Sequence, residues 1–227
     1  MEKGNVKMTK INSTRSACKD VFNAFLVRGA EFDGILEIPC IKTGIFKPKK
    51  LISFSKCIRA REYDSWVHFY EDDAAFERIW KDPEKYLPIL SRFEGVISPD
   101  FSLYRDMPLV MQYWNIYRNH AIAAWLQSNG INVIPNIRYG DERTFEEACL
   151  GIVKHGTISI GSHGCIKIRK DRELFIAGLD RIVHIIDPQI IIIYGAAPDD
   201  IFGKYRNRGI LILRFDSEFA SSRKKVV

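Results

Sequence analysis

Apolar runs that stop abruptly at polar residues recur along this chain, and each is followed by a segment with helical spacing. The stretch 95–108, GVISPDFSLYRDMP, sets the pattern: Val96-Ile97-Ser98 halts at Pro99-Asp100, carries Ser102 and Tyr104, and then opens a helix. Val133-Ile134 likewise runs into Pro135-Asn136 and Arg138. Residues 158–160 run into Gly161-Ser162-His163-Gly164, and residues 190–193 into Tyr194-Gly195. The repetition predicts a series of βα units whose strand ends collect polar groups.

Other runs extend this reading. Strands are expected at 34–38, closed by Pro39, and at 51–54, 66–70, 96–98, 132–137, 157–160, 189–193 and 210–213. A short helix or strand is expected at 21–27, and short helices around Phe76, Ile79, Trp80 and Leu87, broken by Pro83 and Pro88. The longest helical pattern, 108–129, has Pro at its start, Asn-Gly at its end, and Met111, Trp114, Tyr117, Ala121, Ala124 and Trp125 as its core stripe. Asp106 is the expected N-cap of that helix. Further helices are expected from about 141 to 153 and about 171 to 186, and two basic loops at 47–50 (KPKK) and 204–208 (KYRNR).

Runs such as VHFY, NVIPNI, TISI and QIIIIY lack the strict alternation of a half-exposed sheet, so the strands read as covered on both faces and parallel. The expected class is α/β: a compact or incomplete TIM-like (β/α) barrel, with an open doubly wound sheet as the alternative. Both place a ligand at the carboxyl ends of the strands. The expected organisation is a basic, partly flexible N-terminal segment at 1–30, a single α/β domain at 31–216 and a flexible basic tail at 217–227.

With 227 residues and 46% hydrophobic content, the chain can bury one sizeable core. A net charge of +6 and a pI near 9.0 suit a phosphorylated small molecule or nucleic acid as partner. Five cysteines, Cys18, Cys40, Cys57, Cys149 and Cys165, show no CxxC and no regular spacing, so neither a zinc ribbon nor a disulfide framework is indicated. The N-terminus lacks an apolar leader and the apolar run 190–193 is far too short to span a bilayer. A cytoplasmic location and no membrane partner are expected; oligomeric state, cofactor and metal are not indicated.

The strand-end rule nominates Asp72 and Asp73, then Asp100 and Ser102, Asn136 and Arg138, Ser162, His163 and Cys165, and Tyr194. Asp100, following Pro99 in a restricted and partly desolvated setting, suits a general base, a nucleophile or a hydrogen-bond acceptor for a ligand; the alternative is a loop-organising carboxylate that caps the Ser102 or Leu103 amide. His163 is the second catalytic candidate, as acid/base or donor. Asn136 and Arg138 suit recognition of a phosphate or a planar base edge, and Arg118 on the long helix can approach the same mouth. Gly161, Ser162 and Gly164 can offer backbone amides to an anion.

The strings PDFSLYRDMP, WNIYRN, IPNIRYGD, SIGSHGC and IIIIYG, in this order over roughly residues 66–215, resemble an uncharacterised domain-of-unknown-function family of bacterial, phage and mobile-element proteins. That resemblance implies a mobile-element setting and no established activity. The later half is also similar in layout to the barrels of queuine-type transglycosylases, although this chain has no aspartate-serine-glycine-glycine stretch and no zinc cysteines, so no catalytic assignment follows. The functional expectation is a phage or mobile-element protein whose strand-end pocket binds a nucleotide, nucleobase or nucleic-acid end and modifies or cleaves it. The alternative is a non-catalytic binder that sequesters a nucleotide or engages nucleic acid or a host protein.

Overall fold

The computed structural model describes residues 20–42 and 44–217, so most of the expected N-terminal segment and nearly all of the tail lie outside the described residues. A single 3-10 turn, Ala24–Val27, leads in. It is followed by β1 (Phe32–Asp33), β2 (Ile38–Pro39), β3 (Leu51–Ser53), α1 (Phe54–Cys57), β4 (Trp66–His68), α2 (Asp73–Lys81), α3 (Pro83–Leu90) and β5 (Gly95–Ile97). Next come α4 (Leu109–Ser128), β6 (Val133–Ile134), β7 (Thr157–Gly161), α5 (Arg169–Ile186), β8 (Ile190–Tyr194), α6 (Asp199–Asn207) and β9 (Leu211–Phe215).

Strands β3 to β6 pair in chain order as one parallel sheet, and β7 to β9 as another. A single parallel bridge, Asn136 to Ser159, links the two sheets. Side chains alternate along the strands as pleating requires. Val67, Val96 and Val133 face the helices in one core cluster, while Ile158, Ile160, Ile191 and Ile193 face α5 and α6 in another. The opposite faces meet each other: Trp66, Ile97 and Ile134 of the first sheet pack with Ile192 of the second. Tyr70, just beyond β4, stacks on Tyr194 at the end of β8 with 4.6 Å between ring centroids and 10° between planes. The ladder is therefore curled around a shared inner face. A closed TIM barrel is not shown, since no pairing joins β9 to β3 among the described residues, and an open parallel arrangement is compatible with this connectivity.

Four local expectations need correction. The strand expected at 34–38 is the turn between β1 and β2: Gly34 and Glu37 have left-handed φ of 67° and 50°, and the Glu37 amide donates to the Gly34 carbonyl at 3.2 Å. The helix expected at 141–153 is two 3-10 turns, Glu142–Thr144 and Glu147–Cys149. Beyond them Leu150 leaves helical geometry, because Gly151 is clamped by Asp33, which accepts its amide at 2.9 Å, and by the Ile41 amide, which donates to its carbonyl at 2.8 Å. The basic stretch 204–208 is largely the last turn of α6, where Tyr205 is buried and donates its hydroxyl to Asp180 at 2.7 Å.

The fourth correction concerns α4. Its second half buries Ala121, Ile122, Trp125 and Leu126 as an ordinary core helix, but Met111 and Trp114 of the expected stripe are 49% and 38% exposed. Gln112, Asn115 and Asn119 are buried instead. The first turns of α4 lie against residues 101–107, whose backbone groups need hydrogen-bond partners that apolar side chains cannot supply. The N-cap position falls on Pro108, and Asp106 is exposed.

Two consequences are measurable. A Cβ at Gly95 would lie 2.5 Å from the Trp66 ring and 2.8 Å from the Asn132 carbonyl, so Gly95→Ala is expected to lower unfolding free energy in urea by about 2 kcal/mol. His120 is 3% exposed, with Nδ1 placed 3.1 Å from the Pro39 carbonyl, which fixes the proton on that nitrogen. Burial lowers its pKa from 6.5 to about 4, so the unfolded chain binds the proton more tightly and stability is lost as pH falls through that window. The expected loss between pH 7 and pH 4 from this group is roughly 3 kcal/mol, and His120→Gln should flatten that part of the stability profile.

Candidate functional site

The carboxyl ends of β4 to β8 carry a polar cluster on the inner face. Strand alternation places Tyr70 two residues beyond His68, Asn136 two beyond Ile134, and Ser159 within β7 on the same side as Ile192 of β8. The Tyr70 hydroxyl lies 2.6 Å from Ser159 Oγ and donates to Asn136 Oδ1 at 2.9 Å. Asn136 Nδ2 in turn donates to Asp100 Oδ1 at 2.7 Å, and Asp100 Oδ2 stands 3.6 Å from Arg138 Nη1. One relay thus runs from β7 through Tyr70, Asn136 and Asp100 to Arg138.

The backbone that carries Asp100 is fixed from both sides. Asn119 accepts the Phe101 amide at 2.9 Å, and Asn115 Nδ2 donates to the Ser102 carbonyl at 2.6 Å. Asp73, at the start of α2, accepts the Ser102 hydroxyl at 2.9 Å and the Ser102 amide at 3.2 Å. The capping that the sequence offered to Asp100 is therefore done by Asp73, which leaves Asp100 for Asn136 and Arg138. Arg118 donates to Glu77 at 3.1 Å and to Asn115, with its guanidinium 3.7 Å from the Phe101 ring centroid. It braces the loop from outside.

Electrostatics follow from this packing. Burial pushes the Asp100 carboxyl above its ordinary range, while the Arg138 charge and the Asn136 hydrogen bond pull it down. The Asp100 carboxylate raises the pKa of Arg138, which stays charged. Burial, followed by the Asp100 charge, holds the Tyr70 phenol well above its usual value and keeps it a neutral donor. Burial also raises the Cys165 thiol, so it is no ready thiolate.

In front of Arg138 opens a cavity of about 530 Å³, bounded by the ends of β6 and β7, the loop 103–106 and the first turns of α5. Arg138, Gly161, His163 and Gly164 of the candidate residues line it, with Cys165 beside them. Tyr104, Tyr139 and Phe175 give it aromatic walls. Asp100 and Asn136 lie behind Arg138 rather than in the wall. Ser162 is buried and donates to the Ala196 carbonyl at 2.7 Å, and Tyr194 is buried against Tyr70 and His68; neither lines the cavity. Arg105 pairs with Asp171 across the rim at 2.9 Å.

Arg138 is the unusual member. Its side chain is 24% exposed, yet none of its N–H donors makes a hydrogen bond among the described residues, Nε is buried without a partner, and its one ion pair is long. Sequence reasoning nominated Asp73 at its strand end and missed Tyr70 as a member of the cluster. The signal for Tyr70 was available in the alternation Trp66, His68, Tyr70. Cys40, Cys57, Cys149 and Cys165 are free thiols, and no helix among the described residues is long and apolar enough to cross a membrane.

Residues 30–216 match the profile of the domain of unknown function DUF4417. The chain belongs to that family. Among curated proteins it is similar to the "Gene 1 protein" of Mycobacterium phage L5, at 34% identity over 187 residues covering 81% of this chain and 80% of the relative. It is also similar to the "Gene 1 protein" of Mycobacterium phage D29, at 35% identity over 163 residues covering 70% of this chain and 60% of that protein's length. This DUF4417 domain is thus phage-associated. No solved structure matches it significantly.

Removal of Arg138 tests how the pair is balanced. Arg138→Met would leave Asp100 buried without its counter-charge and is expected to cost roughly 2–3 kcal/mol of stability at pH 7. Because the substitution raises the folded-state pKa of Asp100 still further above its unfolded value, the cost should grow as pH rises above about 4 and shrink towards zero below it. Urea unfolding at several pH values measures both signs.

Proposed function

We propose that the strand-end cavity binds a small phosphorylated ligand of nucleotide size, and that Arg138 is the group that holds its anion. The observation that carries this reading is the state of Arg138: a charge anchored from behind by Asp100, donors without acceptors among the described residues, and a place in the cavity wall. A guanidinium so placed can form a bidentate contact with a phosphate or carboxylate. The cavity volume of about 530 Å³ falls in the range of small-molecule sites, and Tyr104 and Tyr139 offer faces for a planar ring. The curled ladder, read as an incomplete TIM-like barrel, supports the location, since ligands in parallel α/β folds collect at the carboxyl ends of strands.

Binding without turnover is the reading we favour, because Asp100 sits behind Arg138 and outside the cavity lining. One observation speaks for catalysis: burial lifts the Asp100 carboxyl in the direction that general acid–base work requires. The phage relatives fit a protein that captures a nucleotide or a nucleic-acid end during an encounter between element and host.

Calorimetric titration of the whole chain with the four ribonucleoside 5′-monophosphates and inorganic phosphate tests the proposal. At least one nucleotide is expected to bind more tightly than phosphate, and Arg138→Ala to weaken it by at least about tenfold, equivalent to about 1.4 kcal/mol. Unchanged affinity in a folded Arg138→Ala variant, or no binding of any probe, overturns the reading. Phosphorus NMR of the incubated nucleotide then separates retention from conversion.

A further inference from the structure

The strand-end site makes no use of the basic stretch 47–50 or of the basic end of α6, yet these two parts of the chain meet at the opposite, amino-terminal ends of β7, β8 and β9. There a second cavity of about 380 Å³ is lined by Lys47, His155, Asp187, Gln189, Arg208 and Leu211 among others. Lys47 is carried by a segment crossing beneath β7: the Thr157 amide donates to the Gly44 carbonyl at 2.9 Å, and the Phe46 amide to Thr157 Oγ1 at 2.9 Å. Arg208 follows α6 as its C-cap and leads into β9. His155 precedes β7, and Asp187 caps α5 before β8.

Charge in this cavity is unbalanced. Asp187 is the one carboxylate among the described lining residues, and its side chain lies 3.3 Å from His155 Nδ1. Lys47 and Arg208 form no ion pair among the described residues, so two fixed positive charges face one small volume. Its rim is also held in sparsely populated backbone geometry, with φ of 63° at His155, 47° at Asp187 and 86° at Gly209. Residues other than glycine are uncommon in that region, and such geometry is retained where the surrounding fold over-determines it. Gln189 adds a neutral amide beside the charges.

We propose that this amino-end cavity is a second anion site, which takes a phosphate group between Lys47 and Arg208. Its chemistry is independent of Arg138 and of the strand-end pocket. Lysine supplies a point charge and arginine a planar fork, the two side chains that most often neutralise phosphate oxygens. The group can come from a small phosphorylated molecule or from the backbone of a single-stranded polynucleotide.

The test is an amide chemical-shift titration of the full chain with inorganic phosphate and, separately, with a short 5′-phosphorylated single strand. Both probes are expected to move amides around His155, Gln189 and Leu211. The double substitution Lys47→Glu with Arg208→Glu, at two exposed positions, should weaken both by at least about tenfold, while Arg138→Ala leaves these shifts in place. Single-strand binding tighter than phosphate, with a salt slope that falls by roughly 1.4 on removal of two contacts, assigns the group to a polynucleotide backbone. Equal affinity for the two probes assigns it to a small molecule. If neither probe moves these amides, or if the folded double variant binds as the unaltered chain does, the second site does not exist.

Discussion

Asn136 is the residue on which the two halves of this fold depend. Pro135 before it has no amide proton, so the β6 ladder cannot continue in register, and the chain changes partners at this point. The Asn136 amide donates to Ser98 Oγ at 2.7 Å, which keeps it tied to the end of β5. On its other side the Ser159 amide donates to the Pro135 carbonyl and the Ile137 amide to the Ser159 carbonyl, both at 2.9 Å, which ties it to β7. Its side chain then joins Tyr70 to Asp100. A smaller or apolar residue could make the backbone bridge but would leave the Tyr70 hydroxyl short of a partner and Asp100 held by Arg138 alone. The same residue therefore closes the sheet junction and sets the charge of the pocket wall.

The strand ends were legible because their signal is local. From β5 to β8 a continuous apolar run stopped by Pro, Asn or Gly marks a buried strand meeting its loop, and Asp100, Asn136 and Arg138 do converge. What the chain order concealed were the partners brought in by tertiary packing. Asp73 reads as one of three acids after β4, and only the fold brings it to the Ser102 amide 29 residues later. Asn115 and Asn119 lie outside the apolar stripe expected for α4, because helical periodicity assumes that buried means apolar. Here the first turns of α4 cover loop backbone, and amides outcompete Met111 and Trp114 for the inward positions. The segment 141–153 has the composition of a helix, and a clamp on Gly151 from the distant β1–β2 unit overrides it.

Net charge gave a third, coarser kind of information. A charge of +6 suggests an anionic partner without saying where it binds, and the whole of that excess is carried by residues 1–19 and 218–227, outside the described residues. At the carboxyl ends of the strands, Arg105 pairs with Asp171 and Arg138 with Asp100. At the amino ends, Lys47 and Arg208 form no ion pair among the described residues and share their cavity with Asp187. Exposed charge attracts at long range and is screened by salt, whereas a half-buried guanidinium acts at contact.

The placement of Asp100 bears on whether the strand-end pocket is a reaction centre. A general acid or base must come within hydrogen-bond reach of the atom it serves, and Asp100 is separated from the cavity by Arg138. Turning Asp100 towards a ligand would break its hydrogen bond to Asn136 and strip Arg138 of its counter-charge, a disruption of several kcal/mol in a partly buried site. No loop strain or glycine hinge next to Asp100 would ease that movement, and Asn119 and Asp73 pin the residues that follow it. A carboxylate so held is suited to orienting a guanidinium and fixing its charge. The acidic residue that stands out most in the sequence thus contacts Asn136 and Arg138 rather than the cavity, and Arg138 is the member of the pair that lines it.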